Sequence, residues 1–298
     1  MSITKRINRI NKISLKWKLK KIHPLIAIYQ FPVKEFEEFK TQVKNYLCKA
    51  LKINFEKDDK IFIKKIDQAR KNRTNVTPNG AVVPKKEFQL EYNIVLRSWC
   101  DLVKNISKGK PSLLTFLRIT PNIRIKFGKE LSDNKKRVLN TSLPHSDAWS
   151  DGPWGMNCFI PLFGDYRRNN LLYYEPVNFD ENFLRPAKTY HEMQWVLKDY
   201  KKLKIVPKPG NVYISDYAAI HQTFRKKNAK TRVSIDTTLF VGNHKPMKDR
   251  IKEYNSKIPS IGLDYFVDTG QYEKDKPAEK KTIFSHYTSK VLKLIRLN

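Results

Sequence analysis

Cysteine is scarce in this chain: Cys48, Cys100 and Cys158 are the only three in 298 residues. They are odd in number, widely spaced and form no CxxC pair, which excludes a disulfide framework and a thiolate zinc site. Buried, reduced thiols are the expectation. Long apolar runs are absent too. The best, Pro24-Leu25-Ile26-Ala27-Ile28, falls far short of the ~18 residues that a membrane span requires. Met1 to Lys21 alternates Lys or Arg with Ile and Leu, without the uninterrupted apolar stretch of a secretory signal, so a cytoplasmic location is expected. In that setting the acceptor patterns Asn72-Arg73-Thr74 and Asn75-Val76-Thr77 are chance matches. No GxSxG elbow, GxxxxGK[ST] loop or GxGxxG turn occurs, so a nucleophile-elbow hydrolase, a phosphate-loop enzyme and a dinucleotide fold have no support.

Acidic residues are also in short supply, 29 against 59 basic ones, for a formal net charge of +30. Such a field attracts anions: nucleic acid, an anionic membrane surface, or phosphorylated and carboxylated small molecules. Of the basic residues 15 are arginine and the other 44 lysine, spread along the whole chain. Lysine is a point charge without the guanidinium fork used to read bases and phosphates, and its abundance beside Ile and Asn is also explained by residue usage. The hydrophobic and aromatic fractions, 40% and 12%, are those of a globular protein with a substantial core.

The order of elements predicts a mainly β chain with flanking helices. Residues 1–21 form a basic, partly helical lead-in. From Pro32, the spacing of Val33, Phe36, Phe39, Val43, Tyr46 and Leu47 predicts a packing helix with acids in its first turns. Residues 70–84 are turn-rich, and a second helix is expected from Lys86 to Lys104. From Pro111 the pattern changes to short strand-like runs: 112–119, 122–127, 155–162, 170–174, 204–206, 211–214 and 231–241. Many short strands separated by turns predict a sandwich or jelly roll. An amphipathic helix is expected around Tyr287 to Ile295. One catalytic domain is expected, with a helical N-terminal layer (1–110), a β core (111–243) and a helical C-terminal tail (244–298).

The chemistry is concentrated in Leu143-Pro144-His145-Ser146-Asp147-Ala148-Trp149. On an extended segment His145 and Asp147, two residues apart, project to one face and can converge on one ion. His221, in Asp216-Tyr217-Ala218-Ala219-Ile220-His221 just after a strand, supplies a third ligand. Two histidines and one carboxylate make the facial triad of non-haem iron(II) oxygenases. Arg232 follows 11 residues later in an alternating run and shares a strand face with Ser234, a cradle for a far carboxylate. Each residue also has a plain structural reading: a His–Asp hydrogen bond at a turn, a strand-end histidine with a satisfied ring, or a strand salt bridge from Arg232 to Asp236.

His-x-Asp, a distal His and an Arg about ten residues beyond it resemble the iron(II)/2-oxoglutarate dioxygenase superfamily, including its phytanoyl-CoA hydroxylase-like branch. Gly210-Asn211-Val212-Tyr213-Ile214 resembles the strand that leads to the distal His in that family. Asn228 and Asn157-Cys158-Phe159-Ile160-Pro161-Leu162 fit the same pattern, which covers about Leu113 to Phe240. The resemblance implies a double-stranded β-helix, cupin-like core. It implies iron(II) on His145, Asp147 and His221, with O2 and 2-oxoglutarate as cosubstrates, the latter anchored on Arg232. Ser234 and Asn157 are further candidate contacts. Asp147 argues against a halogenase, and hydroxylation with release of succinate and CO2 is the simplest outcome.

Candidate substrate contacts are Trp149, Trp154, Tyr173 and Tyr174, with residues 150–153 as a loop over the metal and Arg118 and Arg124 as anion binders. Core packing is the ordinary role of such aromatics. These features favour a small, anionic molecule: a sugar, a sugar acid, a nucleotide-linked sugar, an acyl thioester or a secondary metabolite. The alternatives are an oxygenase of nucleic acid or protein, docked by Lys5, Arg6, Arg9, Lys12, Lys16, Lys18, Lys20 and Lys21, and a non-enzymatic jelly-roll binding module. His191, in a charged surface-like stretch, and His244, in a turn, are weaker ligand candidates.

Overall fold

A computed structural model describes residues 2–71, 75–77, 79–107, 114–118, 121–128, 142–149, 155–176, 184–241, 260–261 and 294–297. In chain order these form α1 (Ile3–Trp17), β1 (Lys20–His23), β2 (Ile26–Gln30), α2 (Val33–Leu51), α3 (Asp59–Gln68), α4 (Gln89–Ser107), β3 (Leu114–Arg118) and β4 (Asn122–Lys126). Then come β5 (Gly155–Gly164), β6 (Asn169–Pro176), β7 (Tyr200–Lys202), β8 (Asn211–Asp216), β9 (His221–Arg225), β10 (Arg232–Val241), β11 (Ser260–Ile261) and β12 (Leu294–Leu297). The fold is mainly antiparallel sheet with flanking helices, the class that the sequence indicates. The chain separates into two compact units, Met1–Phe31 with Ile125–Asp236, and Pro32–Arg124 with Thr237–Asn298.

The first unit holds a larger sheet in the order β1-β2-β8-β5, followed by β10, and a smaller antiparallel sheet in the order β7-β6-β9. The chain passes from β5 to the smaller sheet at β6, returns at β8, leaves again at β9 and returns at β10. That alternation is jelly-roll winding. Registers are long: Ile26 to Gln30 pair with Ser215 to Asn211, and Asn169 to Tyr173 pair with Arg225 to His221. The sheets meet through inward side chains, as where Arg232 Nη1 donates to Asn170 Oδ1 at 3.3 Å. At one end Trp149, Tyr173, Tyr190, Met193, Val196 and Ile220 close an apolar cluster. Turn chemistry sets the connections. Asn228 takes the left-handed conformation (φ 62°) between β9 and β10, which asparagine tolerates, and a Cβ on Gly128 would collide with the Ala229 carbonyl oxygen.

α1 starts where Ser2 accepts from the Lys5 N–H and stops where Lys18 turns left-handed (φ 53°). Its buried face is Arg6, Arg9, Ile10, Ile13, Ser14 and Trp17, so two cations sit on the apolar stripe. This corrects the docking-surface expectation for Arg6 and Arg9, which are 0% and 8% exposed. Lys5, Lys12, Lys16, Lys18, Lys20 and Lys21 remain exposed.

The second unit contains α2, α3 and α4, with Tyr46 packed edge-on against Phe88 and Tyr92 at 5.7 and 5.4 Å. Lys44, 2% exposed, is neutralised by Asp59 at 2.6 Å and donates to the carbonyls of Glu56 and Lys57. Three local expectations change. Residues 204–206 are irregular, and the nearby short strand is Tyr200–Lys202. α3 was not anticipated. Leu294 and Ile295, expected at the end of a helix, lie on strand β12, where Leu294 pairs with Arg118 and Ile295 with Leu117. No helix among the described residues is long and apolar enough to cross a membrane.

Candidate metal centre

His145, Asp147 and His221 come together in the first unit, with one ligand atom of each within 4.8 Å of the others. His145 and His221 face each other as an antiparallel bridge, exchanging N–H···O bonds of 2.8 and 2.9 Å. His145 thus extends the edge of β9, whose first residue is His221, just after β8 as expected. Asp147 opens the one-turn 3-10 helix Asp147–Trp149 immediately after the bridge. That turn is pinned by Ser146, whose Oγ donates to the Tyr217 carbonyl at 2.6 Å and accepts from the Ala148 N–H at 3.2 Å.

Both imidazoles are oriented by backbone carbonyls. His145 Nδ1 lies 2.8 Å from the Leu143 oxygen and His221 Nδ1 lies 3.0 Å from the Ala219 oxygen. A carbonyl only accepts, so Nδ1 carries a hydrogen, which leaves Nε2 as the ring atom free to act as a metal ligand in the shared space. The Nε2 atoms lie 3.9 Å (His145) and 3.7 Å (His221) from the two Asp147 oxygens. One ion with bonds of ~2.1 Å is able to join either histidine to the carboxylate. Tyr190 stacks on His145 at 4.4 Å and 13°, and Gln194 donates to the Pro144 carbonyl at 2.9 Å, closing the outer side.

Asn157 of β5 donates from Nδ2 to Asp147 Oδ2 at 2.7 Å, which fixes the carboxylate plane. Its structural contact is therefore with the candidate ligand, and its Oδ1 is buried without a hydrogen-bond partner among the described residues. Arg232 and Ser234 lie on one face of β10, each 1% exposed. The guanidinium packs over the Phe159 ring at 5.1 Å, and the Ser234 hydroxyl is buried without a hydrogen-bond partner among the described residues. The donor set of two neutral imidazoles and one carboxylate suits a divalent first-row metal, and the Arg232–Ser234 face suits a dicarboxylate.

Tyr173 of β6 lies in the interior, its ring 6.1 Å from that of His221. Burial pushes its phenol above the usual range, with a Ser215 hydrogen bond acting the other way. Trp149 is 2% exposed and packs edge-on to Tyr190 in the apolar cluster, and Tyr174 donates to Gln222. Both pack at the edge of the site. Arg124 Nη1 donates to the Asn79 carbonyl at 3.4 Å in the second unit. His191 is exposed on the 3-10 segment His191–Asp199, outside the cluster. Trp154, residues 150–153 and His244 lie outside the described residues, as does the side chain of Arg118.

One set of residues was not anticipated. Asp216, five positions before His221, is 1% exposed and receives both Arg6 Nη1 at 2.6 Å and Arg9 Nη2. The available signal was the pair of arginines on the apolar stripe of an amphipathic helix, because a buried cation calls for a buried acid. No acid precedes Glu35, so the partner had to be distant in sequence.

No protein-family profile and no curated protein matches this sequence. Among solved structures, the chain is similar to the non-haem α-ketoglutarate-dependent carbocyclase SnoK from nogalamycin biosynthesis, at 10% identity and TM-score 0.45 over 80% of this chain and 84% of that one. It is also similar to an N-substituted L-amino acid dioxygenase from Burkholderia ambifaria, at 11% identity and TM-score 0.38 over 80% and 88%. A Pseudomonas putida prolyl-4-hydroxylase gives 7% identity and TM-score 0.37 over 81% and 100%.

Proposed function

We propose that this chain is an iron(II)- and 2-oxoglutarate-dependent oxygenase, most simply a hydroxylase, acting on a small hydroxyl-bearing molecule in the cytoplasm. The observation that carries the reading is the convergence of His145, Asp147 and His221, with both Nδ1 atoms committed to carbonyls and both Nε2 atoms turned to the carboxylate. Iron(II) with 2-oxoglutarate and O2 supplies oxidative chemistry that releases succinate and CO2 and oxidises a C–H bond. The chain's own residues bind and orient. His145, Asp147 and His221 would hold the ion, which would supply the binding of cosubstrate and O2 there. Asn157 keeps the Asp147 carboxylate in one plane. Arg232 and Ser234 hold the far carboxylate of 2-oxoglutarate, and Tyr190, Trp149 and Tyr173 exclude water from that side.

A hydroxyl- or N–H-bearing substrate is supported by an unfilled acceptor. Asn157 Oδ1 is buried within one amide's width of the atom that binds Asp147. Dianionic 2-oxoglutarate offers only acceptors, so the partner of this oxygen is a donor, and a substrate hydroxyl or N–H fits. The charge of +30 favours an anionic molecule such as a sugar acid or nucleotide-linked sugar. A nucleic-acid or protein substrate is less favoured, because Arg6 and Arg9 are withdrawn from the basic N-terminal surface. The test is succinate formation from 2-oxoglutarate by the iron(II)-loaded protein in air, with and without candidate substrates. The expected outcome is iron-dependent turnover that Asp147→Ala abolishes. No succinate from fully iron-loaded protein in the presence of such substrates, or equal turnover by Asp147→Ala, overturns the reading.

A further inference from the structure

We propose that Asp216, gripped by Arg6 and Arg9 of the N-terminal helix, is a positioning residue that sets the geometry of the metal centre. The inference rests on the reading of His145, Asp147 and His221 as metal ligands and extends it to a second layer.

Every polar atom of Asp216 is engaged. Oδ1 accepts from Arg6 Nη1 at 2.6 Å and from the Ala218 N–H at 2.9 Å, while Oδ2 accepts from Arg9 Nη2. Its own N–H donates to the Leu25 carbonyl at 2.9 Å, and its carbonyl accepts from the Ala219 N–H at 2.8 Å. Asp216 therefore holds both ends of the turn between β8 and β9 in one conformation, as a short carboxylate does when it caps its own following backbone.

That turn controls His221 and the residues that flank Asp147. Its Ala219 oxygen receives the Nδ1 hydrogen of His221 and so fixes the ring's tautomer and rotation. Its Tyr217 oxygen accepts from Ser146 Oγ and from the Ala148 N–H, which fixes the residues on either side of Asp147. The Tyr217 N–H donates to the Gly155 carbonyl at 3.3 Å, and Arg9 Nη2 donates to the same oxygen at 3.3 Å. Gly155 opens β5, the strand that carries Asn157. Helix, turn and all three ligands thus share one hydrogen-bonded frame with Asp216 at its centre.

Two guanidiniums on one carboxylate, at 0%, 8% and 1% exposure, form an unusual choice for stability alone. Desolvating charges offsets most of their attraction, and apolar replacements of such groups are often neutral or stabilising. What directional, charge-assisted bonds provide is a fixed arrangement.

The experiment is Co(II) binding to the full chain, read by calorimetry and by the visible d–d spectrum, with thermal melts as a folding control. The variants are Arg6→Met, Arg9→Lys, Asp216→Asn, and Ile13→Ala, which removes a fully buried α1 side chain that makes no polar contact with Asp216. Arg6→Met and Asp216→Asn are expected to raise the Co(II) Kd on the order of tenfold or more, as loss of outer-layer support does elsewhere, and to change the spectrum. Arg9→Lys, which keeps the charge but loses the fork, is expected to weaken binding less. Ile13→Ala is expected to lower the melting temperature while the Kd stays within about twofold and the spectrum is unchanged. A folded Arg6→Met or Asp216→Asn with wild-type Kd and spectrum overturns the clamp. So does Ile13→Ala weakening Co(II) as much as they do at an equal loss of melting temperature. Should Arg6→Met not fold, Arg9→Lys decides alone: wild-type Kd and spectrum refute the proposal. The two levels separate cleanly. Wild-type protein that binds no Co(II), or binds it undiminished after Asp147→Ala, removes the metal-centre reading itself, whereas Asp147-dependent binding that ignores Arg6 and Asp216 removes only the clamp.

Discussion

Replacing Asn157 with leucine isolates one bond of the candidate centre. Leucine has the same branched skeleton but no Nδ2, so Asp147 Oδ2 loses the donor that holds it at 2.7 Å. The carboxylate is only 16% exposed, which leaves little water to take the donor's place. A hydrogen bond to a charged group contributes about 1.5–3 kcal/mol. At ~1.4 kcal/mol per factor of ten, its loss is a weakening of about 10- to 150-fold. Loss of outer-layer partners at known metal sites weakens binding by about 10- to 100-fold, so two independent routes agree. The assay is anaerobic iron(II) titration by calorimetry, with circular dichroism and a thermal melt to show an intact fold. The predicted result is a Kd raised at least about tenfold. A Kd within about twofold of wild type, in a protein that melts normally, refutes the reasoning: Asp147 would then be oriented by its own turn alone.

Further outcomes follow from other parts of the structure. Arg232→Leu is expected to weaken 2-oxoglutarate binding by about 10- to 150-fold, the equivalent of one lost charge-assisted contact, and to leave metal affinity unchanged. Calorimetric titration of Mn(II)-loaded protein with 2-oxoglutarate checks it, and an unchanged cosubstrate Kd contradicts it. His23, 3.8 Å from Glu175, has its pKa lowered by burial, with Glu175 raising it and Lys21 lowering it to smaller extents. The unfolded chain then binds the proton more readily, so stability is complete above ~6.5 and falls as the pH drops through that value toward the folded pKa. His23→Gln is predicted to flatten this loss in melting temperatures measured from pH 7.5 to 5, and identical slopes count against it. Burial pushes the Cys100 and Cys158 thiols far up, and Cys48, only partly buried, less so. A thiol reagent at neutral pH is expected to reach Cys48 alone in the native protein and all three cysteines after denaturation, and rapid native labelling of Cys158 breaks this account of the core.

The parts of the fold that were legible in the sequence are those with strong local signals. α2 declares itself by the spacing of Phe36, Phe39, Val43 and Leu47, and β10 by strict alternation around Val233 and Ile235. The site is legible for a different reason. His145 and Asp147 lie two residues apart, and although a 3-10 turn opens at Asp147 where the spacing predicts extended chain, both still reach one site. Arg232 and Ser234 share a face of β10. What escaped were relations between distant residues. Nothing local to Arg6 and Arg9 shows that their counter-charge is Asp216, more than 200 positions away, and they were accordingly read as surface charge. Asn157 was visible as an inward strand residue, but its partner depends on the turn that follows His145. Leu294 and Ile295 fall at the end of an expected helix because so short an apolar run carries no period that separates a strand from a helical turn. Trp149 and Tyr174 are open to either role in the sequence, and both are buried in the structure.

The most direct test is a crystal structure of the protein soaked anaerobically with Mn(II) and 2-oxoglutarate, with anomalous scattering to locate the ion. The account predicts one ion bonded to His145 Nε2, Asp147 and His221 Nε2, with the far carboxylate of 2-oxoglutarate on Arg232 and Ser234. An ion bound elsewhere, or a triad that stays empty at saturating metal while the imidazoles keep their carbonyl bonds, contradicts it.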